Sequence, residues 1–181
     1  IILEGVEGTV LKSNADEPTI TIDNTSNVTI RNINIETLGT GMTIRKVSDI
    51  KLSNINMENV DAGIKIYNAH DVLGSELTIE GNTQHYSKKG NGIAIYESKS
   101  IELLENDIRS VQDGFYIENV KDIIIQGNTV TKSRYGTHFM YSTDGTIREN
   151  TYTENVTALM VMMTENIHVE DNTASYQNDF N

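Results

Sequence analysis

The sequence predicts an all-β fold, a right-handed single-stranded parallel β-helix of about seven coils, each of about 22 residues. Three observations predict it. Short apolar runs led by a small residue recur at a fixed interval. Each interval holds three short segments in which apolar and polar residues alternate. No stretch of ten or more residues carries a helical apolar stripe.

The leading runs are "TITI" at Thr19, "GMTI" at Gly41, "GIKI" at Gly63, "GIAI" at Gly92, "GFYI" at Gly114, "GTHF" at Gly136 and "ALMV" at Ala158. Every step is 22 residues except that from Gly63 to Gly92, which is 29. Residues 70–91 are therefore an expanded coil with a loop. A second set of apolar positions follows in each unit at Ile30, Leu52, Leu103, Ile125, Ile147 and Val169. A third follows at Ile35, Met57, Ile108, Val130, Tyr152 and Ala174. These three sets define three strands per coil, stacked at about 4.8 Å, so seven coils make a rod of about 34 Å. Crossovers between parallel strands set the right-handed sense.

Asn106, Asn128, Asn150 and Asn172 recur at one turn, and Asn82 is expected to fill that slot in the expanded coil. Asn tolerates a left-handed backbone, and its amide can bond to the Asn above and below. The ladder is thus read as structural. The whole of 1–181 forms one domain. "IILEGVEGTVLKS" already reads as part of a coil, and "TASYQNDFN" stops within one. Open solenoid ends expose strand edges, so the expectation is a piece of a longer chain or a unit that stacks end to end.

Composition narrows the function. Fourteen basic and 26 acidic residues leave a net charge of −12, which argues against nucleic-acid binding. No run of eighteen apolar residues exists to span a membrane, and the N-terminus lacks the basic and apolar regions of a signal peptide. Cysteine is absent, so disulfides and thiolate ligands are excluded.

Strand alternation then sorts the first strand of each coil into inward and outward positions. Thr137, Phe139, Leu159 and Val161 point in. His138, Met140, Met160 and Met162 point out toward water, with His138 beside Met160 and Met140 beside Met162 on adjacent coils. Tyr141 and Met163 flank the group. Soft thioether sulfur and imidazole suit Cu(I). A Met-rich surface equally suits an adaptable protein interface, and a one-residue register slip would bury the methionines instead. The same face continues as Tyr67, Tyr96 and Tyr116, a platform for a sugar or ordinary cross-strand packing.

Catalytic chemistry is not evident. Acids on the outward slots are scattered over separate coils, with no trio aligned for Ca²⁺ or for acid/base work. His168 reads as surface, and His70 and His85 as loop residues. No phosphate loop, nucleophile elbow or zinc-protease motif is present. The expectation is a protein that is not an enzyme.

One segment is more specific. "RYGTHFMYSTDGTIRENTYTENVTALMVMMTENIHVEDN", Arg134 to Asn172, resembles the NosD family, the β-helix accessory proteins of nitrous-oxide reductase maturation. The coils before it resemble the middle of that domain, and the early coils do so more loosely. The resemblance implies an extracytoplasmic protein, periplasmic or at the cell surface. It implies work with the membrane subunit of an ABC transporter, a copper chaperone and nitrous-oxide reductase, supplying copper or sulfur to that enzyme's multinuclear copper site. His138, Met140, Met160 and Met162 are the positions carried over as candidate copper ligands. The alternatives are a carbohydrate-binding β-helix module on the tyrosine face and, after it, a polysaccharide lyase or hydrolase.

Overall fold

In the computed structural model, residues 1–177 are described. The expectation of one domain over 1–181 thus includes residues 178–181, which lie outside the described set. Among the described residues, eighteen strands join in one continuous parallel sheet wound into about eight right-handed turns. The count exceeds seven because residues near the N-terminus form a partial coil, β1 (Ile2–Glu4) and β2 (Val10–Lys12), paired with the next.

β3 (Ile20–Glu36) and β4 (Thr40–Val60) each follow almost a full coil. β5 (Ala62–Tyr67) and β6 (His70–Gly81) form the fourth. Then come β7 (Ile93–Tyr96), β8 (Lys99–Leu104) and β9 (Asp107–Arg109), followed by β10 (Asp113–Glu118), β11 (Lys121–Gln126) and β12 (Thr129–Thr131). β13 (Tyr135–Met140), β14 (Thr143–Arg148) and β15 (Thr151–Thr153) stack on β16 (Thr157–Met162), β17 (Glu165–Glu170) and β18 (Thr173–Ser175).

The long strands β3 and β4 turn corners without breaking because single residues adopt left-handed backbone there: Asn24, Asn27 and Asn32 in one, Lys46, Asp49 and Asn54 in the other. The same corners recur down the stack. One column holds Asn68, Glu97, Asn119, Tyr141 and Met163. Tyr141 and Met163 are therefore corner residues with φ of 51° and 52°, which throws both side chains outward.

The asparagine ladder forms as expected, with one correction to its cause. The ladder residues are not the left-handed ones; the residue before each is, namely Glu105, Gly127, Glu149 and Asp171. The corner thus turns the following Asn inward. Asn128 Oδ1 accepts from Asn106 N (2.8 Å) and Nδ2 (2.8 Å), and Asn150 Oδ1 does the same for Asn128. Asn82 does not continue the ladder. Leu77 occupies that slot, and its N–H bonds to Asn106 Oδ1 at 2.9 Å. The extra residues of the expanded coil are inserted after this turn: residues 70–81 are regular β6, and the departure is confined to 82–92 with a short 3-10 turn at Tyr86–Lys88. Lys89 Nζ ties that loop down by donating to the carbonyls of Asn82 and Ser110, each at 2.6 Å. Burial pushes its amine below the ordinary lysine range.

Stacked Ile, Val and Leu fill the interior, joined by Phe115, Phe139 and Tyr152 in the later coils. Tyr152 keeps its hydroxyl satisfied inside by sharing a hydrogen with Thr137 Oγ1 at 2.9 Å. Met42 and Met57 are core residues. At the glycine heads Gly41, Gly63, Gly92, Gly114 and Gly136 the backbone passes so near the next coil that a Cβ would clash. A Cβ on Gly114 would lie 2.5 Å from the Gly136 carbonyl oxygen and 2.5 Å from Val130 Cγ1. Gly114→Ala is therefore expected to lower unfolding free energy by about 1–3 kcal/mol through overpacking, measured by urea denaturation. An unchanged midpoint would mean that the coils can part at no cost.

Candidate metal site

β10, β13 and β16 stack in register on one flank of the rod. Tyr116 lies beside His138 and His138 beside Met160; Glu118 lies beside Met140 and Met140 beside Met162. Thr137 and Phe139 are fully buried in the core, which fixes His138 and Met140 on the outer side. The register and orientation expected for the His–Met group are those observed.

Its exposure is not. His138 was expected to face water, yet only 7% of its surface is accessible. Two tyrosines cover it. The Tyr116 ring meets the imidazole edge-on at 5.1 Å and 89°, and the Tyr135 ring at 5.0 Å and 82°. Such edge-to-face contacts fix a ring as well as desolvate it. Met140 and Met160 are half-buried, whereas Met162 and Met163 are 42% and 72% exposed. The group therefore grades from a buried nitrogen to open thioethers.

Below the imidazole lies a fully buried carboxylate. Asp113 Oδ2 is 3.0 Å from His138 Nδ1. Arg134 grips the same carboxylate with two bonds, Nε to Oδ1 at 2.8 Å and Nη2 to Oδ2 at 2.7 Å. The guanidinium also sits over the Tyr135 ring at 4.5 Å. The Asp113 carboxylate raises the Arg134 pKa by hydrogen bonding, against the lowering effect of burial. On the other side of the imidazole, His138 Nε2 is buried and has no hydrogen-bond partner. A polar atom in that state costs about 1–3 kcal/mol and is an observation that needs a reason.

Tyr116 bridges the two columns. Its hydroxyl is 2.9 Å from Glu118 Oε2 and 3.3 Å from Met140 Sδ. Burial first, then the hydrogen bond and charge of Glu118, push the phenol up to about 12. The neutral form is favoured by the fold, while an unfolded tyrosine titrates near 10. The stabilisation is thus whole below about pH 10 and is lost as pH rises from about 10 to about 12. Urea midpoints across that window should fall, and Tyr116→Phe should flatten the fall. Burial also pushes the Tyr152 phenol up, so a residual slope should remain.

The rest of the tyrosine face is packed upon itself. The rings of Tyr67 and Tyr96 are parallel, 4.8 Å apart with 7° between planes, and Tyr96 meets Tyr116 at 5.6 Å. The first pair is face to face and the second tilted by 45°, both contacts of the cross-strand kind.

The other histidines stand apart. His70 pairs with Asp71 at 2.8 Å, His85 bonds Ser87 and packs on Tyr86, and His168 is exposed. Among the described residues no three His, Cys, Asp or Glu side chains converge on a metal position. The soft donors on the outward positions at and beside His138 are instead one imidazole nitrogen and thioether sulfurs. That set suits a soft monovalent ion better than Zn²⁺, Ca²⁺ or Mg²⁺, which take harder ligands. A histidine whose far nitrogen is held by a carboxylate, with its near nitrogen unpartnered, has the arrangement of a metal ligand. The residues present fit copper. Sequence reasoning missed Asp113, Arg134 and Tyr135. The period held the clue, since Asp113 lies 22 residues before Tyr135 and pairs with it.

Fold and site together define a right-handed parallel β-helix with an imidazole–thioether cluster on its outer flank. Residues 75–180 match the family described as periplasmic copper-binding protein (NosD), and residues 4–111 match the right-handed β-helix region. The chain belongs to the NosD family. Among solved structures it is similar to PfbA, a surface adhesin of Streptococcus pneumoniae, at 14% identity and a TM-score of 0.68 over 85% of this chain and 49% of that one. A second structure of the Streptococcus pneumoniae surface protein and adhesin PfbA aligns at 10% identity and a TM-score of 0.41, over 98% and 85%. The former likeness is one of fold alone, and this chain spans only about half of that protein's length. No curated protein matches the sequence. No helix among the described residues is long and apolar enough to cross a membrane.

Proposed function

We propose that this chain is the β-helix of an extracytoplasmic copper-binding accessory protein that serves maturation of the nitrous-oxide reductase copper site and works with an ABC transporter. Copper is cargo here, taken as Cu(I) by His138 Nε2 with thioethers of Met140, Met160 and Met162. One observation carries the reading: His138 Nε2 is buried, unpartnered and in register with Met160, while its other nitrogen is held by a carboxylate.

The chain's own residues divide the work. Tyr116 and Tyr135 exclude water from the imidazole. Met140 and Met160 are half-shielded donors, and Met162, with Met163 at the adjoining corner, lies where a partner can reach it. Thioether sulfur and neutral imidazole are uncharged donors that suit Cu(I). A copper chaperone and the reductase are the donor and recipient that family membership supports. No substrate turnover is assigned to the site.

The test is a Cu(I) titration under reducing conditions against a competing chelator such as bicinchoninate. One equivalent bound per chain is the expected result. Failure to compete at all would leave the methionine cluster as a protein interface.

A further inference from the structure

Asp113 is fully buried, and so is an unusual place for a carboxylate. Its charge is matched by Arg134 through two short bonds, one to each oxygen. Ion pairing alone would need no histidine. Yet Oδ2 also lies 3.0 Å from His138 Nδ1, across a coil boundary, and the imidazole is pinned by tyrosine edges on two sides. These contacts hold the ring against the carboxylate.

The consequence concerns one proton. A carboxylate gripped by a guanidinium offers only acceptor lone pairs toward the imidazole. Nδ1 must then carry the hydrogen, and in the neutral ring Nε2 is left with its lone pair, which no protein donor meets. We propose that Asp113, locked by Arg134, is a positioning residue that fixes His138 in the Nδ1–H tautomer and so keeps Nε2 open as a ligand for a soft monovalent metal. The metal part of this inference rests on the copper reading above; the tautomer part does not. Arg134 contributes by occupying the carboxylate on both oxygens, which prevents it from rotating away from the ring.

Asp113→Asn tests this with almost no change in shape. An amide has one acceptor oxygen, and Arg134, which can only donate, claims it. The amide NH₂ then faces Nδ1, which has to accept. The hydrogen moves to Nε2 and blocks the metal lone pair. The tautomer is read directly in the metal-free chain from ¹⁵N-edited long-range NMR correlations of the His138 ring. Cu(I) affinity is read separately by bicinchoninate competition.

The wild-type chain should show Nδ1–H, and Asp113→Asn should show Nε2–H. The variant should bind Cu(I) about 10- to 100-fold more weakly, the usual cost of losing a ligand's supporting hydrogen bond. Arg134→Gln should weaken binding in the same direction, with mixed tautomers. An Nε2–H tautomer in the wild-type chain would overturn the inference without any variant, as would equal Cu(I) affinity in wild type and a folded Asp113→Asn. If wild type binds no Cu(I) but shows the Nδ1–H form, which Asp113→Asn reverses, the positioning role stands and the copper reading fails. The two ideas are thereby separable. A merely structural role for Asp113 would change thermal stability while leaving the tautomer alone.

Discussion

Replacing Met160 and Met162 together with alanine is expected to abolish stoichiometric Cu(I) binding, with a loss of more than about 100-fold in affinity, or about 2.8 kcal/mol. The reasoning starts from the register. Both residues stand on the outer side of β16, directly beside His138 and Met140. Their removal leaves one imidazole and one thioether, and that thioether already engages the Tyr116 hydroxyl. With the remaining thioether engaged by Tyr116, the imidazole is left to hold the ion largely alone against the chelator. Neither side chain is part of the hydrophobic core, so the far-ultraviolet circular dichroism and thermal midpoint should hold. An unaltered titration in the double variant would refute the ligand assignment and return the methionines to a docking role. His138→Ala alone should be nearly as damaging, because the imidazole is the one nitrogen donor of the set.

Asn128→Ala is expected to cost about 2–5 kcal/mol of folding stability, the sum of two or so buried groups left without partners. Asn128 Oδ1 is the acceptor for both the backbone and side-chain N–H of Asn106, and its own amide donates to Leu103 O at 2.9 Å. The residue is 1% exposed, so water cannot replace these bonds. Alanine orphans the Asn106 backbone N–H outright and removes one donor from Leu103 O. The control is Asn14→Ala. That side chain is exposed and its backbone is not left-handed, so the change should stay within about 0.5 kcal/mol. Urea denaturation of the two variants gives the comparison. Equal midpoints would show that the ladder is a passive tenant of the corner.

The fold was legible in the sequence because a solenoid repeats its constraints. A step of 22 residues placed Gly92, Gly114 and Gly136 above one another, and that placement fixed the partners of His138 and Met140 without knowledge of any dihedral angle. What escaped was set by single side chains. Asn82 seemed to belong to the ladder because residue type matched, but the insertion falls after the turn, so Leu77 takes the slot. The left-handed residues were placed one position late, since Glu105 and Glu149 do not advertise that conformation. In the candidate site, alternation told which way His138 points but could not tell what lies on top of it. Tyr116 and Tyr135 fold over the imidazole through rotamers, and rotamers are not periodic. Asp113 escaped for a related reason. It sits at the edge of β10, where strict inward–outward alternation gives way to the corner.

The ladder between β13 and β16 has an implication for delivery. Main-chain hydrogen bonds hold the two coils at a constant separation, so this ladder supplies no hinge among the described residues. Side-chain torsions are the moving parts of this flank, and for solvent-exposed groups these relax within picoseconds to nanoseconds. A handover from this flank would then run at the tempo of collisions with the recipient, the rod itself staying still throughout.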